Sequence, residues 1–194
     1  MENNRTAILI DNGEIVGESP QRFRRFLSAE VIDKRVRELA QEIRTDYIDK
    51  HPILIGVLNG SFIFLSDLIR YMAISCEIDF VKISSYEKAM RSSGMVLMKK
   101  NLDAEVADRH ILLVEDIVDT GRSVRFLLDY FSKKNPASLA VATLFLKPDA
   151  FKTKCPLDYV GIEIPNRFVV GYGLDCAQQW RHLPDLYTLI DESS

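Results

Sequence analysis

Three carboxylates and a short polar turn follow an apolar run in the stretch ILLVEDIVDTGRSV, residues 111–124. Glu115 and Asp116 come directly after four apolar residues, and Asp119 begins the sequence Asp-Thr-Gly-Arg-Ser. Carboxylates accept hydrogen bonds from sugar hydroxyls and bind Mg²⁺, whereas hydroxyls, a guanidinium and backbone N–H groups bind phosphate. The stretch therefore combines groups suited to a sugar with groups suited to a phosphate.

The order strand, turn, helix would position these groups for such a ligand. The apolar run predicts a buried strand, and apolar residues at every third or fourth position predict a helix over residues 121–134. Unpaired N–H groups and the positive end of the helix dipole attract anions to the start of a helix. Gly121 lets the backbone approach a ligand because it has no Cβ. Residues 119–123 are expected to hold a phosphate, and the carboxylates to hold ribose hydroxyls, directly or through Mg²⁺.

A plainer interpretation is open for each part of this stretch. Glu115 and Asp116 could lie in a solvated loop, and Asp119 or Thr120 could cap the helix. An isolated DTG sequence favours that interpretation, whereas the full strand–turn–helix stretch favours a ligand site. Other kinds of site have little support, because the P-loop pattern is absent, GYG at residues 171–173 is half of a dinucleotide fingerprint, and the histidines lack metal-ligand spacing.

Short apolar segments alternate with amphipathic segments along the chain. Helices are predicted over residues 28–50, with Ser28 as the cap, and over residues 61–72 and 121–134. Strands are predicted over residues 53–58, 78–86, 95–100, 111–114, 138–146 and 158–164. The alternation predicts an α/β fold with a mainly parallel central sheet flanked by helices, whose ligands bind beyond the carboxyl ends of the strands. No repeat or linker interrupts the pattern, so residues 1–194 are expected to form a single domain.

Composition and charge limit the classes of partner. The chain has 194 residues, 47% of them hydrophobic and 27% charged, and its formal net charge of −3 argues against a general nucleic-acid or anionic-membrane surface. The first residues lack the apolar core of a signal peptide, and no run of about twenty apolar residues occurs. Three scattered cysteines, Cys76, Cys155 and Cys176, form no CxxC pair. We therefore expect a cytoplasmic protein with neither a membrane nor a nucleic acid as partner.

The stretch at residues 111–124 resembles the phosphoribosyl pyrophosphate signature of the purine and pyrimidine phosphoribosyltransferases. Further segments, from about residue 28 to residue 190, resemble the hypoxanthine-guanine phosphoribosyltransferases in particular. The resemblance implies the type I phosphoribosyltransferase fold, with a small hood formed by terminal segments. It also implies transfer of ribose 5-phosphate from phosphoribosyl pyrophosphate to N9 of hypoxanthine or guanine, with Mg²⁺ as cofactor, in a homodimer or homotetramer.

The resemblance assigns a sugar-phosphate site and a purine site. Ribose and its 5′-phosphate would be bound by Glu115, Asp116, Asp119, Thr120, Gly121, Arg122 and Ser123. Asp119 would also be the catalytic base that accepts a proton from the purine. The purine would be bound by Lys147, at its 6-oxo group, by Phe168 through stacking, by Val169 through backbone groups, and by Asp175. Glu115 and Asp116 would hold one Mg²⁺, and Asp175 would hold a second.

The resemblance also assigns a pyrophosphate site and a mobile loop. The family reads LKG where this chain has Leu-Asn-Gly, and it has a cis peptide bond after the leucine, here before Asn59. Asn59 in place of the lysine removes a side-chain charge but leaves the N–H groups of Asn59 and Gly60 available. Arg181 would bind pyrophosphate as well. Ser85 and Tyr86 match the Ser-Tyr pair of the loop that covers the family's active site.

Two alternatives to a purine-salvage enzyme are a regulatory protein that senses phosphoribosyl pyrophosphate without turnover and a catalytically idle oligomeric protein. A regulator that binds RNA would need a basic surface, so the net charge of −3 and the retained Asp119 argue against it. Among bases, a lysine donor suits an acceptor at position 6, which favours hypoxanthine or guanine over adenine. Residues 22–26, RFRRF, are interpreted either as an interface strip or as a solvated basic run.

Overall fold

Among the residues that the structure describes, the main sheet has six strands and is flanked by three helices. The structure, a computed structural model, describes residues 14–17, 22–85, 96–100, 102–153 and 155–190. The six strands are β3 (Ile53–Leu58), β4 (Glu77–Ser85), β5 (Val96–Lys100), β6 (His110–Val118), β7 (Ser138–Leu146) and β8 (Tyr159–Glu163), in the order β5-β4-β3-β6-β7-β8. All neighbours pair in parallel except β4 and β5. The predicted α/β fold with a mainly parallel sheet is confirmed.

Helices cover both faces of this sheet. The helices α1 (Ala29–Tyr47) and α2 (Phe62–Met72) pack with alternate strand residues such as Leu54 in one buried cluster. The helix α3 (Arg122–Ser132) packs with Ile53 and Ile55 in another. Because successive strand residues face opposite sides, strands buried on both faces are apolar throughout. No helix in the described ranges is long and apolar enough to cross a membrane.

A second, four-stranded antiparallel sheet forms the predicted hood. Its strands are β1 (Ile15–Val16), β2 (Phe23–Leu27), β9 (Val169–Val170) and β10 (Leu186–Leu189), in the order β1-β2-β10-β9. The interpretation of residues 22–26 as a solvated basic run is wrong, because most of this segment forms β2 with Phe23 and Phe26 buried, whereas Arg24 is exposed. The interpretation as an interface strip stays a prediction.

The hood caps the first helix of the main sheet. Ser28 is the N-cap residue of α1, as predicted, but its hydroxyl makes no cap hydrogen bond. Instead, the Ala29 N–H donates to Asp185 Oδ1 over 2.6 Å, and the Tyr187 hydroxyl donates to Asp185 Oδ2 over 3.3 Å. A carboxylate is well suited to the unpaired N–H groups of a helix start. Asp185 therefore fixes the hood against α1.

The strands β3 and β6 separate near their carboxyl ends. They pair as far as Gly56↔Val114, and β6 then continues with β7 alone, up to Val118↔Leu146. The chain proceeds from β3 to β4 on one side and from β6 to β7 on the other, so this is the switch point at which such sheets bind ligands. The strand predicted over residues 111–114 is too short, because β7 extends it by pairing. Glu115 and Asp116 consequently lie within β6 and not after it.

Candidate active site

The turn after β6 exposes the start of α3 at the switch point. Gly121 has a φ of +80° and precedes Arg122, the first residue of the helix, and no side chain caps this helix start. A Cβ on Gly121 would lie 2.5 Å from Phe151 Cε2, so only glycine fits beneath that ring. Residues 119–123 thus lie at an uncapped helix N-terminus, as the sequence predicts for a phosphate site.

The segment after β7 forms hydrogen bonds with the turn at residues 119–123. The Thr153 hydroxyl donates to the Thr120 carbonyl over 2.7 Å, and the Thr153 N–H donates to the same oxygen over 3.3 Å. Together with Phe151 on Gly121, these bonds fix the backbone of the turn. Sequence analysis missed Phe151 and Thr153, because neither belongs to a motif and both act from a distant segment.

Glu115 and Asp116 are adjacent carboxylates in a poorly solvated position. Glu115 is 8% exposed, and its Oε2 has no hydrogen-bond partner among the described residues. Asp116 is partly accessible and accepts the Ile117 N–H over 2.9 Å. Burial, reinforced by the charge of Asp116, holds the pKa of Glu115 well above its usual range. Desolvation also raises the pKa of Asp116 to about 6, against the lowering effects of the Ile117 N–H and Arg181. An unpartnered buried oxygen of this kind fits a sugar hydroxyl or Mg²⁺.

Glu115→Gln is expected to raise the melting temperature of the metal-free protein at pH 8 by about 6 °C, since an unpartnered buried carboxylate costs about 2 kcal/mol. The pKa of Glu115 is raised from 4.5 on folding, so the native state binds this proton more tightly than the unfolded chain. Wild-type stability should therefore fall, relative to the variant, as the pH rises above about 4. Calorimetry from pH 4 to pH 8 should show a difference that is near zero at pH 4 and largest at pH 8.

Glu105→Gln is the matched control, because it removes the same charge from an exposed glutamate. We expect its melting temperature to stay within about 1 °C of wild type throughout this range. A Glu115→Gln protein that melts below wild type at pH 8 would contradict the interpretation of an unpartnered carboxylate.

Asp119 and Lys147 form an ion pair at the ends of neighbouring strands. Lys147 Nζ lies 3.1 Å from Asp119 Oδ2, with 10% of the lysine side chain and 48% of the aspartate side chain exposed. The Lys147 N–H also donates to the Val118 carbonyl over 2.9 Å, which continues the β6–β7 pairing. An ammonium has three N–H donors, so this contact leaves two for a ligand.

Glycines bring the loop after β3 against Asp116 and against residue 173. The peptide bond between Leu58 and Asn59 is cis, as expected from the resemblance. A Cβ on Gly60 would overlap Asp116 Oδ2, and a Cβ on Gly173, whose φ is +93°, would overlap the Gly60 carbonyl oxygen. Gly173 is therefore a glycine because the loop after β3 packs closely against it. This packing accounts for GYG without a dinucleotide site.

Arg181 and Asp175 adjoin the same loop. Arg181 Nη2 lies 2.7 Å from Asp175 Oδ1, and Arg181 Nη1 donates to the Gly173 carbonyl over 2.7 Å. The Gln178 N–H donates to Asp175 Oδ2 over 2.8 Å. Across the part of the chain that the structure describes, no three Asp, Glu, His or Cys side chains form a group that could hold a metal ion. Asp175 is thus engaged by Arg181, and its charge contributes to raising the pKa of Asp116.

The segment that carries Phe168 and Val169 belongs to the hood. Phe168 is 47% exposed, and its ring lies 6.4 Å from that of Phe23. Its carbonyl accepts the Leu189 N–H over 3.2 Å, so β10 holds it in place. Val169 is 7% exposed, so its side chain belongs to the core and a ligand could meet only its backbone.

The predicted mobile loop lies mostly outside the described residues. Ser85 is the last residue of β4. Tyr86 falls outside the described ranges, so its role stays a prediction.

Comparisons with known sequences point to one family. A family model described as the phosphoribosyl transferase domain matches residues 25–177. The hypoxanthine-guanine phosphoribosyltransferase of Bacillus subtilis is 42% identical over 158 residues, which is 81% of this chain and 88% of that protein. Its counterpart in Streptococcus agalactiae is 41% identical over 165 residues, covering 85% and 92% of the two chains.

Solved structures give the same result. A hypoxanthine phosphoribosyltransferase from Staphylococcus aureus superposes with a TM-score of 0.82 at 35% identity, covering 86% of this chain and 91% of that one. A hypoxanthine-guanine phosphoribosyltransferase from Bacillus anthracis superposes with a TM-score of 0.80 at 37% identity, covering 86% and 96%. The likeness extends over nearly the whole of each chain.

Proposed function

The chain belongs to the phosphoribosyltransferase family, and within it to the hypoxanthine-guanine phosphoribosyltransferases, and on that premise we propose its reaction. It is a purine-salvage enzyme that transfers ribose 5-phosphate from phosphoribosyl pyrophosphate to N9 of hypoxanthine or guanine. The products are IMP or GMP and pyrophosphate. The observation that carries this function is the carboxylate pair of β6 next to the uncapped start of α3. No finding favours the regulatory alternative.

The sugar phosphate would be held by β6 and the turn that follows it. The N–H groups of residues 119–123, with the positive end of the α3 dipole, would bind the 5′-phosphate. Glu115 and Asp116 would accept hydrogen bonds from the ribose 2′ and 3′ hydroxyls. These contacts fix the anomeric carbon in place, and the carboxylates add negative potential where positive charge develops. The unpartnered Glu115 Oε2 supports this assignment.

The departing pyrophosphate carries several negative charges, and cations and N–H groups would stabilise it. Arg181 and the N–H groups of Asn59 and Gly60 are proposed for this role. Mg²⁺, when bound, would neutralise part of the charge on the leaving group. Glu115 and Asp116 are proposed to hold it, because Mg²⁺ commonly uses one or two carboxylates together with substrate phosphates. Asp175 is proposed to hold a second Mg²⁺.

The purine would be bound between the hood and the ends of β6 and β7. Phe168 would stack on the base, and the exposure of its ring supports this. Val169 would contact the base edge through its backbone. As N9 bonds to the anomeric carbon, a proton leaves the purine, and Asp119 would accept it near N7. Lys147, already 3.1 Å from Asp119, would stabilise the negative charge that spreads to O6.

An activity assay over five bases tests the proposed function. Purified protein, Mg²⁺ and phosphoribosyl pyrophosphate are mixed separately with hypoxanthine, guanine, xanthine, adenine and uracil, and nucleotide formation is followed by absorbance. We expect turnover with hypoxanthine or guanine and none with adenine. An absence of turnover with every base would overturn the proposal.

Lys147→Ala is expected to raise the KM for hypoxanthine and guanine by about tenfold, since a charge-assisted hydrogen bond contributes about 1.5–3 kcal/mol. The KM for phosphoribosyl pyrophosphate should change much less, because Lys147 lies on the purine side of the site. Steady-state kinetics with each substrate varied in turn measures both. The control is Lys133→Ala, at an exposed lysine where α3 ends, far from the start of that helix. Equal weakening of both substrates by Lys147→Ala would contradict the role in reading the purine.

The remaining proposals concern organisation and setting. We propose that residues 1–194 form one domain, because hood residues such as Leu186 share a buried cluster with α1 and α2. We also propose a homodimer or homotetramer, supported by the exposed Phe62 at the start of α2, which is 43% accessible. A cytoplasmic setting is supported by the free cysteines Cys76, Cys155 and Cys176.

A further inference from the structure

Lys82 contacts the loop that is proposed to bind pyrophosphate. It lies in β4, opposite Leu58 of β3 in the register, so it stands next to the point where β3 ends. Its Nζ donates to Asn59 Oδ1 over 3.1 Å. We propose that Lys82 is a pyrophosphate-binding residue, with its ammonium positioned by the Asn59 side chain. This inference rests on the proposed function and adds a residue that no motif in the sequence indicates.

The Lys82 ammonium has capacity left for an anion. An ammonium has three N–H donors, and the bond to Asn59 uses one of them. In the described part of the chain, no carboxylate lies within ion-pair distance of Lys82, although its side chain is partly buried. A partly desolvated cation without a counter-ion is unfavourable, and a bound phosphate would relieve that cost.

Lys100, the lysine next to Lys82 in the sheet, has an ion-pair partner within the protein. Lys100 of β5 lies opposite Lys82 in the register, but its Nζ is 3.1 Å from Asp79 Oδ1 and donates to the Phe80 carbonyl over 2.9 Å. Its charge is therefore compensated within the protein. Lys82 is the lysine of this pair that contacts the loop after β3.

The position of Asn59 relates Lys82 to the other groups of the site. Asn59 precedes Gly60, which lies against Asp116. The Gly60 carbonyl lies against Gly173. The Gly173 carbonyl in turn accepts a hydrogen bond from Arg181. Lys82 thus contacts the Asn59–Gly60 loop directly, and Arg181 adjoins it through Gly173. Pyrophosphate carries several negative charges, so it suits a loop that offers N–H groups together with cations. The Asn59 side chain also keeps its NH₂ donors free for phosphate, because its oxygen accepts from Lys82.

Lys82→Met tests the proposal by calorimetric titration with pyrophosphate in the presence of Mg²⁺. We expect the Kd to rise about tenfold, the effect of losing one charge-assisted hydrogen bond. Lys82→Arg should stay within about threefold of wild type, because it keeps the charge. The control is Lys133→Met, which removes the same charge at an exposed site and should leave the Kd unchanged. A Kd for Lys82→Met within twofold of wild type would overturn the proposal, and so would an equal rise in Lys133→Met.

A double variant distinguishes binding from a structural role. Asn59→Lys combined with Lys82→Met moves the ammonium onto the loop, and we expect it to recover most of the lost affinity. Lack of recovery, or an equal loss of hypoxanthine binding in Lys82→Met, would show that Lys82 acts on the fold and not on pyrophosphate. Because titration needs no turnover, wild-type protein that binds pyrophosphate but is inactive in the five-base assay would contradict the proposed function alone.

Discussion

Asp119→Asn is expected to lower kcat with hypoxanthine about 10³-fold while the fold and IMP binding are retained, because general-base catalysis contributes about 10²–10⁴-fold. Asp119 Oδ2 accepts from Lys147 Nζ over 3.1 Å in the wild type. The amide oxygen of asparagine can accept the same bond, so the turn and Lys147 keep their places. What is lost is the ability to accept the purine proton.

Single-turnover kinetics and IMP titration measure the two parts of this prediction separately. A large fall in the chemical rate with an unchanged Kd for IMP is the expected pattern. The control is Asp49→Asn, at an exposed aspartate after α1, which should leave both quantities unchanged. An Asp119→Asn protein with wild-type kcat would remove Asp119 from the role of base.

Gly60→Ala is expected to lower kcat/KM for phosphoribosyl pyrophosphate about 10²-fold, because small displacements of positioned groups have effects of that size. The added Cβ would overlap Asp116 Oδ2, so the Asp116 side chain or the loop has to move. Either movement separates the proposed ribose contact from the proposed pyrophosphate contact. Steady-state kinetics with phosphoribosyl pyrophosphate varied, together with a melting curve, measures the effect.

Gly161→Ala is the matched control for this steric effect. A Cβ on Gly161 of β8 would lie 2.5 Å from the Leu144 carbonyl oxygen, which is also a steric overlap but lies away from the proposed site. It should lower the melting temperature while kcat/KM per folded molecule stays close to wild type. Gly60→Ala with wild-type kinetics would show that the contact between Gly60 and Asp116 has no part in catalysis.

The main sheet could be predicted from the sequence because its strands are apolar on both faces and bounded by helices. The strand Ile53–Leu58 was predicted with its observed bounds. The strand β6 was predicted too short, since Glu115 and Asp116 interrupt its apolar run and the residues from Glu115 onward pair with β7 alone. The hood gave no periodic signal, because β1 and β9 have two residues each and β2 pairs with β10, which is distant in sequence.

Part of the candidate site could likewise be predicted from the sequence, and part could not. Residues of the contiguous motif, such as Asp119 and Gly121, could be singled out because their types and spacing carry the chemistry. Contacts such as Thr153 with Thr120, or Lys82 with Asn59, depend on which segments the fold brings together. No local pattern in the sequence indicates them. The roles assigned to the site residues stay predictions until the variants are measured.

The hood has a consequence for the order in which the enzyme can assemble during its synthesis on the ribosome. The Ala29 N–H is capped by Asp185, 156 residues later, and Phe168 is held by a strand made later still. Every strand of the main sheet precedes Phe168 and Asp185 in the chain. A nascent chain can therefore complete the proposed sugar-phosphate site before Phe168 and Val169 of the proposed purine site have been made. Translation has to proceed through β10 before both substrates can be held together.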